Sequence, residues 1–108
     1  MNALVQKLSE GQHPVEVSLR PARTVKALQE SLERGYVLVK FTGTRGGTEL
    51  GVPLDRERSD LSGADFEQER GRVRIVGDLT LDYVKVRCIA DIELPSLQGN
   101  GKLEPLPE

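Results

Sequence analysis

The chain has 108 residues, with 15 Lys and Arg against 17 Asp and Glu, one His, one Cys, two Tyr, two Phe and no Trp. That length fits one domain, and 37% hydrophobic with 30% charged residues favours a folded chain with a modest Leu, Ile and Val core over a disordered one. A net charge of -2 argues against attraction of the whole protein to nucleic acid or to an anionic membrane, leaving only a local basic patch for such a role.

Cys88 is the one cysteine, so no intrachain disulfide forms, and His13 and Cys88 together fall short of a zinc ligand set. The opening MNALVQKLSEGQHP has neither the basic start nor the apolar run of an export signal. No segment reaches the roughly 20 apolar residues of a membrane span. A cytoplasmic protein with no membrane contact and no cofactor is expected.

ALVQKLSE places Leu4, Val5 and Leu8 on one helical face ahead of Gly11, the pattern of a short N-terminal helix or a frayed arm. From Pro14, Val15, Val17 and Leu19 alternate with Glu16, Ser18 and Arg20, which predicts a half-buried strand. Thr24 can then cap VKALQESLERG, where Val25, Leu28 and Leu32 recur at helical spacing and Gly35 suits a left-handed terminator. YVLVKFTGT and TELGVPLD form a predicted hairpin about Arg45-Gly46-Gly47, with Pro53 marking a sheet edge or bulge.

Residues 55–71 are dense in charge of both signs and read as a long surface loop around Phe66. GRVRIVGDLTLDYVKVRCIADIEL alternates on both sides of Gly77-Asp78, which predicts a second hairpin turning there. Its long arm sends Val84, Val86, Cys88, Ala90, Ile92 and Leu94 to one face and Tyr83, Lys85, Arg87, Asp91 and Glu93 to the other. After Pro95, SLQGNGKLEPLPE shows no apolar period, so residues 1–94 read as a single globular domain and 95–108 as a mobile tail. The expected fold is α+β, an antiparallel-rich sheet of about five strands in two hairpins packed on one main helix. A sheet curled toward a half-barrel fits the same pattern.

Candidate chemistry is sparse. Thr44, Arg45, Gly46 and Gly47 combine a hydroxyl, a guanidinium and a permissive backbone, as an anion site requires, although a plain turn needs the same glycines. Arg72, Arg74, Lys85 and Arg87 lie at outward strand positions with Arg20 and Lys40, a face able to meet phosphates unless Glu16, Glu49, Asp91 and Glu93 pair with them. The run Arg34 to Phe41 lacks an aromatic at Leu38, where an RNA-binding sheet needs an exposed ring. Cys88 on an apolar strand face reads as a core thiol with a raised pKa, and His13 as exposed and idle. Asp78 and Asp82 could share a proton only if buried together, and no serine has nucleophile-elbow surroundings.

No nucleophile, base and oxyanion donor assemble in this pattern, which argues against catalysis without excluding it. The favoured expectation is a small non-catalytic binding or accessory domain that contacts another protein or its own copy through Tyr36, Leu38, Tyr83 and Ile89. The alternative is recognition of a small anion or nucleic-acid phosphate through the Arg45 loop and the basic face.

Overall fold

The computed structural model describes residues 3–19, 24–94 and 96–107, so Arg20 and Pro95 lie outside the described residues. The elements in chain order are α1 (Ala3–Ser9), β1 (His13–Ser18), α2 (Val25–Arg34), β2 (Tyr36–Phe41), β3 (Thr48–Pro53), β4 (Ala64–Asp65), β5 (Arg70–Leu81), β6 (Val84–Glu93) and β7 (Gln98–Pro105). The strands form one antiparallel sheet in the order β3-β2-β1-β7-β6-β5-β4. The α+β class is as the pattern predicts; the short N-terminal segment is a helix, and among the described residues the sheet has seven strands where about five are expected.

Local chemistry explains the helices. Thr24 Oγ1 accepts from Ala27 N at 3.1 Å, which satisfies one of the free donors of the first turn of α2. Gly35 at φ 80° then closes the helix, its N–H reaching Ser31 O and Leu32 O. Arg56 adds a second stop: its Nη2 donates to Leu32 O at 3.3 Å and Glu33 O at 3.0 Å, placing positive charge at the negative end of the helix dipole. Val25, Leu28 and Leu32 face the core with Val37, Val39 and Phe41 of β2. On α1, Val5 and Leu8 are buried, and the helix packs on β7.

Two corrections follow from close packing. Residues 98–105 are not a mobile tail; they are the central strand β7, joined to β1 by Val15↔Gly99 and to β6 over Val86↔Pro105 to Glu93↔Gln98. Gly99, Gly101 and Leu103 occupy alternate positions, so two of the three residues that would display the strand period carry no side chain. Glycine is required at 99, because a Cβ there would overlap Asp91 O.

The second hairpin does not turn at Gly77-Asp78. β5 runs straight through that pair, Leu81 faces Val84, and the turn is Asp82-Tyr83, with φ 48° and 68° in the sense of a type I′ hairpin. Gly77 serves another purpose. A Cβ there would overlap Pro53 O and lie 2.6 Å from Val52 Cγ1, because the end of edge strand β3 is pressed against β5 at this point. The sheet is therefore curled but not closed, since β3 and β5 share no ladder.

The charged stretch after β3 is more ordered than a loop. Asp55 N donates to Val76 O at 2.7 Å, Asp60 and Arg74 exchange backbone bonds of 2.9 and 2.8 Å, and Ala64 pairs with Gly71. This stretch thus covers much of the outer edge of β5, which guards an otherwise unpaired strand. Pro53 stands at the end of the edge strand, where its missing N–H costs no ladder bond. No described helix is long and apolar enough to cross a membrane.

Candidate functional site

Among the described residues, an open groove of about 420 Å³ lies where α2 meets the ends of β1 and β2. Its apolar lining is Leu38, Leu19, Ala27 and the ring of Tyr36; Lys26, Glu30 and Arg34 supply its charges. The hollow has a simple origin in the ladder. Leu38 points away from the core and is half-buried, with the small residues Ser18 on one side and Gly51 on the other. Tyr36 lies across the glycine: a Cβ on Gly51 would come 2.6 Å from Tyr36 Cζ. The ring therefore shields the backbone of an edge strand while remaining 52% exposed. Arg34 Nη2 donates to Ser31 Oγ at 3.2 Å, which ties this cation to the helix side of the groove.

Only two of the four predicted anchors meet here. Ile89 is half-buried between Val76 and Lys102 on β6, and Tyr83 sits at the β5–β6 turn. The order of the sheet is the reason: β1 and β7 stand between β2 and β6, so the outward residues of the two hairpins cannot form one patch.

The candidate anion residues are likewise divided. On the outer face of β5 and β6, Arg74 forks onto Asp91 at 2.8 and 3.2 Å, Arg87 onto Asp78 at 2.8 and 3.3 Å, and Arg72 reaches Glu93 at 3.3 Å. Hydrogen bonding to Asp91, reinforced by its charge, pushes Arg74 above the usual guanidinium value; the Asp78 hydrogen bond does the same for Arg87. These exposed pairs add little stability, but they occupy the forks that a phosphate would need. Lys85 faces Thr80 nearer the turn.

Thr44, Arg45, Gly46 and Gly47 occupy the β2–β3 turn, on the far side of β1 and β7. The Thr44 hydroxyl is engaged within the turn, 2.7 Å from Thr48 Oγ1 and 3.3 Å from Phe41 O. Gly46 and Gly47 have φ of 76° and 78°, which is what the turn requires of them. The alkyl chain of Lys40 packs over Gly47, bringing a second cation to the loop.

Cys88 is fully buried, and desolvation pushes its thiol up to about 12, as expected of a core residue. His13 Nε2 lies 2.9 Å from Glu10 O, and its ring packs edge-on to Phe41 at 6.5 Å. Asp78 and Asp82 share no site: the first is on the outer face of β5 in its pair with Arg87, the second in the turn. Among the described residues no group of three or more His, Cys, Asp or Glu could hold a metal ion.

The acidic residues of the 55–65 stretch organise the chain around themselves. Asp55 accepts from the N–H groups of Glu57 and Arg58, and Asp60 from both N and Oγ of Ser62. Side-chain acceptance two or three residues ahead was the available signal. These bonds hold both carboxyls below their ordinary value of 3.8, chiefly through the Arg58 N–H for Asp55 and the Ser62 hydroxyl for Asp60. A depressed folded-state pKa stabilises the fold above the unfolded value and ceases to do so as pH falls through the folded one. Stability is therefore expected to decline below pH 3.8, and Asp60→Asn to flatten that decline. Urea midpoints from about pH 5 to about pH 2 measure it; an equal slope in both proteins would contradict the assignment.

Comparison of the chain with protein-family models and with curated proteins gives no match.

Proposed function

We propose that the chain is a non-catalytic binding domain that contacts another protein through the groove between α2 and β2. The observation that carries this reading is the pairing of a half-buried Leu38 with a half-exposed Tyr36 in the groove. Aromatic and aliphatic groups in a concave site, rimmed by Lys26, Glu30 and Arg34, are the usual composition of an anchor pocket. The guanidiniums of the β5–β6 face are less suited to a ligand, being engaged with carboxylates across the ladder.

The test is site-specific photo-crosslinking in cells from position 36, with position 102 on the β7 outer face as control. A discrete adduct from position 36 alone is expected, and its purified partner should lose affinity for Leu38→Asp by at least about tenfold, the equivalent of one buried anchor. Adducts of equal yield from both positions, or undiminished binding by a folded Leu38→Asp protein, would overturn the reading.

A second reading has one observation in its favour. Arg45 has no partner among the described residues, and Lys40 reaches over the same turn, so two cations are available to a phosphate or carboxylate. Such binding would weaken steeply with salt, whereas binding in the apolar groove would not.

A further inference from the structure

Among the described large hydrophobic residues two are exposed, and Tyr83 is the more exposed of them, at 101% of its reference area against 52% for Tyr36. It is also held at φ 68°, a left-handed conformation that bulky residues rarely adopt. At the second central position of a type I′ turn glycine is the relaxed choice, and Asp82 before it already suits the first. The hairpin thus carries an aromatic ring in open solvent at a position where it strains the turn. Backbone strain of this kind is retained where the side chain has a use.

The same molecule offers a receptor. The groove holds about 420 Å³, enough for a tyrosine ring, and has Leu38 and Ala27 in its wall. The tip and the groove carry charges of opposite sign: Asp82 beside the ring against Lys26 and Arg34 of the groove, and Lys85 beyond it against Glu30. We infer that the occupant of the groove is the Tyr83 hairpin tip of a second copy of this chain. Reciprocal exchange of two tips into two grooves closes a symmetric dimer, whereas one-way exchange would propagate as an open chain. This inference rests on the groove being the contact site.

With two tyrosines and no tryptophan, both tyrosines fall within the proposed contact, so intrinsic tyrosine emission reports on it directly. Molar mass by light scattering should rise toward that of two copies as concentration increases, with a parallel change in tyrosine emission. Tyr83→Gly separates association from folding, because an Asp-Gly turn is the better hairpin. This variant is expected to melt several degrees higher and to stay monomeric. Mixed with Leu38→Asp, which keeps its tip, it should recover a weaker dimer through the one intact tip and groove. A wild-type monomer at every concentration, or a dimer undiminished in Tyr83→Gly, overturns the inference. A monomer whose position-36 adduct contains a foreign protein would refute self-contact while leaving the groove as the binding site; the absence of any adduct would refute both.

Discussion

Ending the chain after Leu94 is expected to abolish folding, not to trim a tail. The missing segment is β7, which lies between β1 and β6 and, among the described residues, is the sole ladder connection between the β1–β3 half of the sheet and the β4–β6 half. Its loss also removes Leu97 and Leu103, both buried in the core, and exposes Val5 and Leu8 of α1. Removing a single buried leucine side chain costs about 2–5 kcal/mol, against a total stability of about 5–15 kcal/mol for a domain. Two leucines and a central strand together exceed what the rest of the fold holds. Far-ultraviolet circular dichroism and a urea transition on the shortened chain measure this, and a cooperative transition near the wild-type midpoint would contradict the placement of β7.

Gly77→Val is expected to destabilise by about 3 kcal/mol or more, above the usual cost of overpacking, because a backbone atom stands in the way. The new Cβ would overlap Pro53 O and press on Val52 Cγ1, forcing β3 away from β5 at the point where the curled sheet is pinned. The neighbouring bond from Asp55 N to Val76 O and the Ser59 hydroxyl contacts with Val76 would be lost with it. If Gly77 were a turn residue, as its Gly-Asp sequence suggests, valine would instead disturb only the hairpin tip. Denaturant unfolding distinguishes the two, and a loss below about 1 kcal/mol, the usual scale of a surface substitution, would contradict the pin.

The contrast between these residues shows what the sequence could convey. α2 was legible to its ends, since Thr24 caps through its hydroxyl, Gly35 through the left-handed backbone that a residue without a Cβ adopts, and Val25, Leu28 and Leu32 mark one face. The core faces of β1, β2 and β6 were legible because each has an unbroken alternation of apolar residues. β7 was not, since Gly99 and Gly101 leave its period unmarked. The turn at Asp82-Tyr83 was hidden by a stronger local signal at Gly77, whose glycine answers to a contact with a strand more than twenty residues earlier. Long-range packing had overridden local propensity there.

The candidate site divides along the same line. That Tyr36 and Leu38 point outward followed from alternation, but their groove depends on how α2 closes over the ends of β1 and β2, which no local pattern contains. Cross-strand charge pairs on β5 and β6 follow in kind from the alternation, but their register is set by the turn at Asp82-Tyr83. With the turn at Asp82-Tyr83, Tyr83 is the tip of the hairpin and not an outward strand residue.

The most direct measurement is a dilution series followed by two-dimensional amide NMR on the full chain. Concentration-dependent shifts should concentrate in two places, residues 82–85 at the hairpin tip and the groove formed by α2 with Tyr36 and Leu38, while Arg72, Arg74 and Arg87 stay unmoved in their ion pairs. Shifts centred on the outer face of β5 and β6, or on Arg45 and its turn, with the groove silent, would contradict the assignment of the groove as the contact surface.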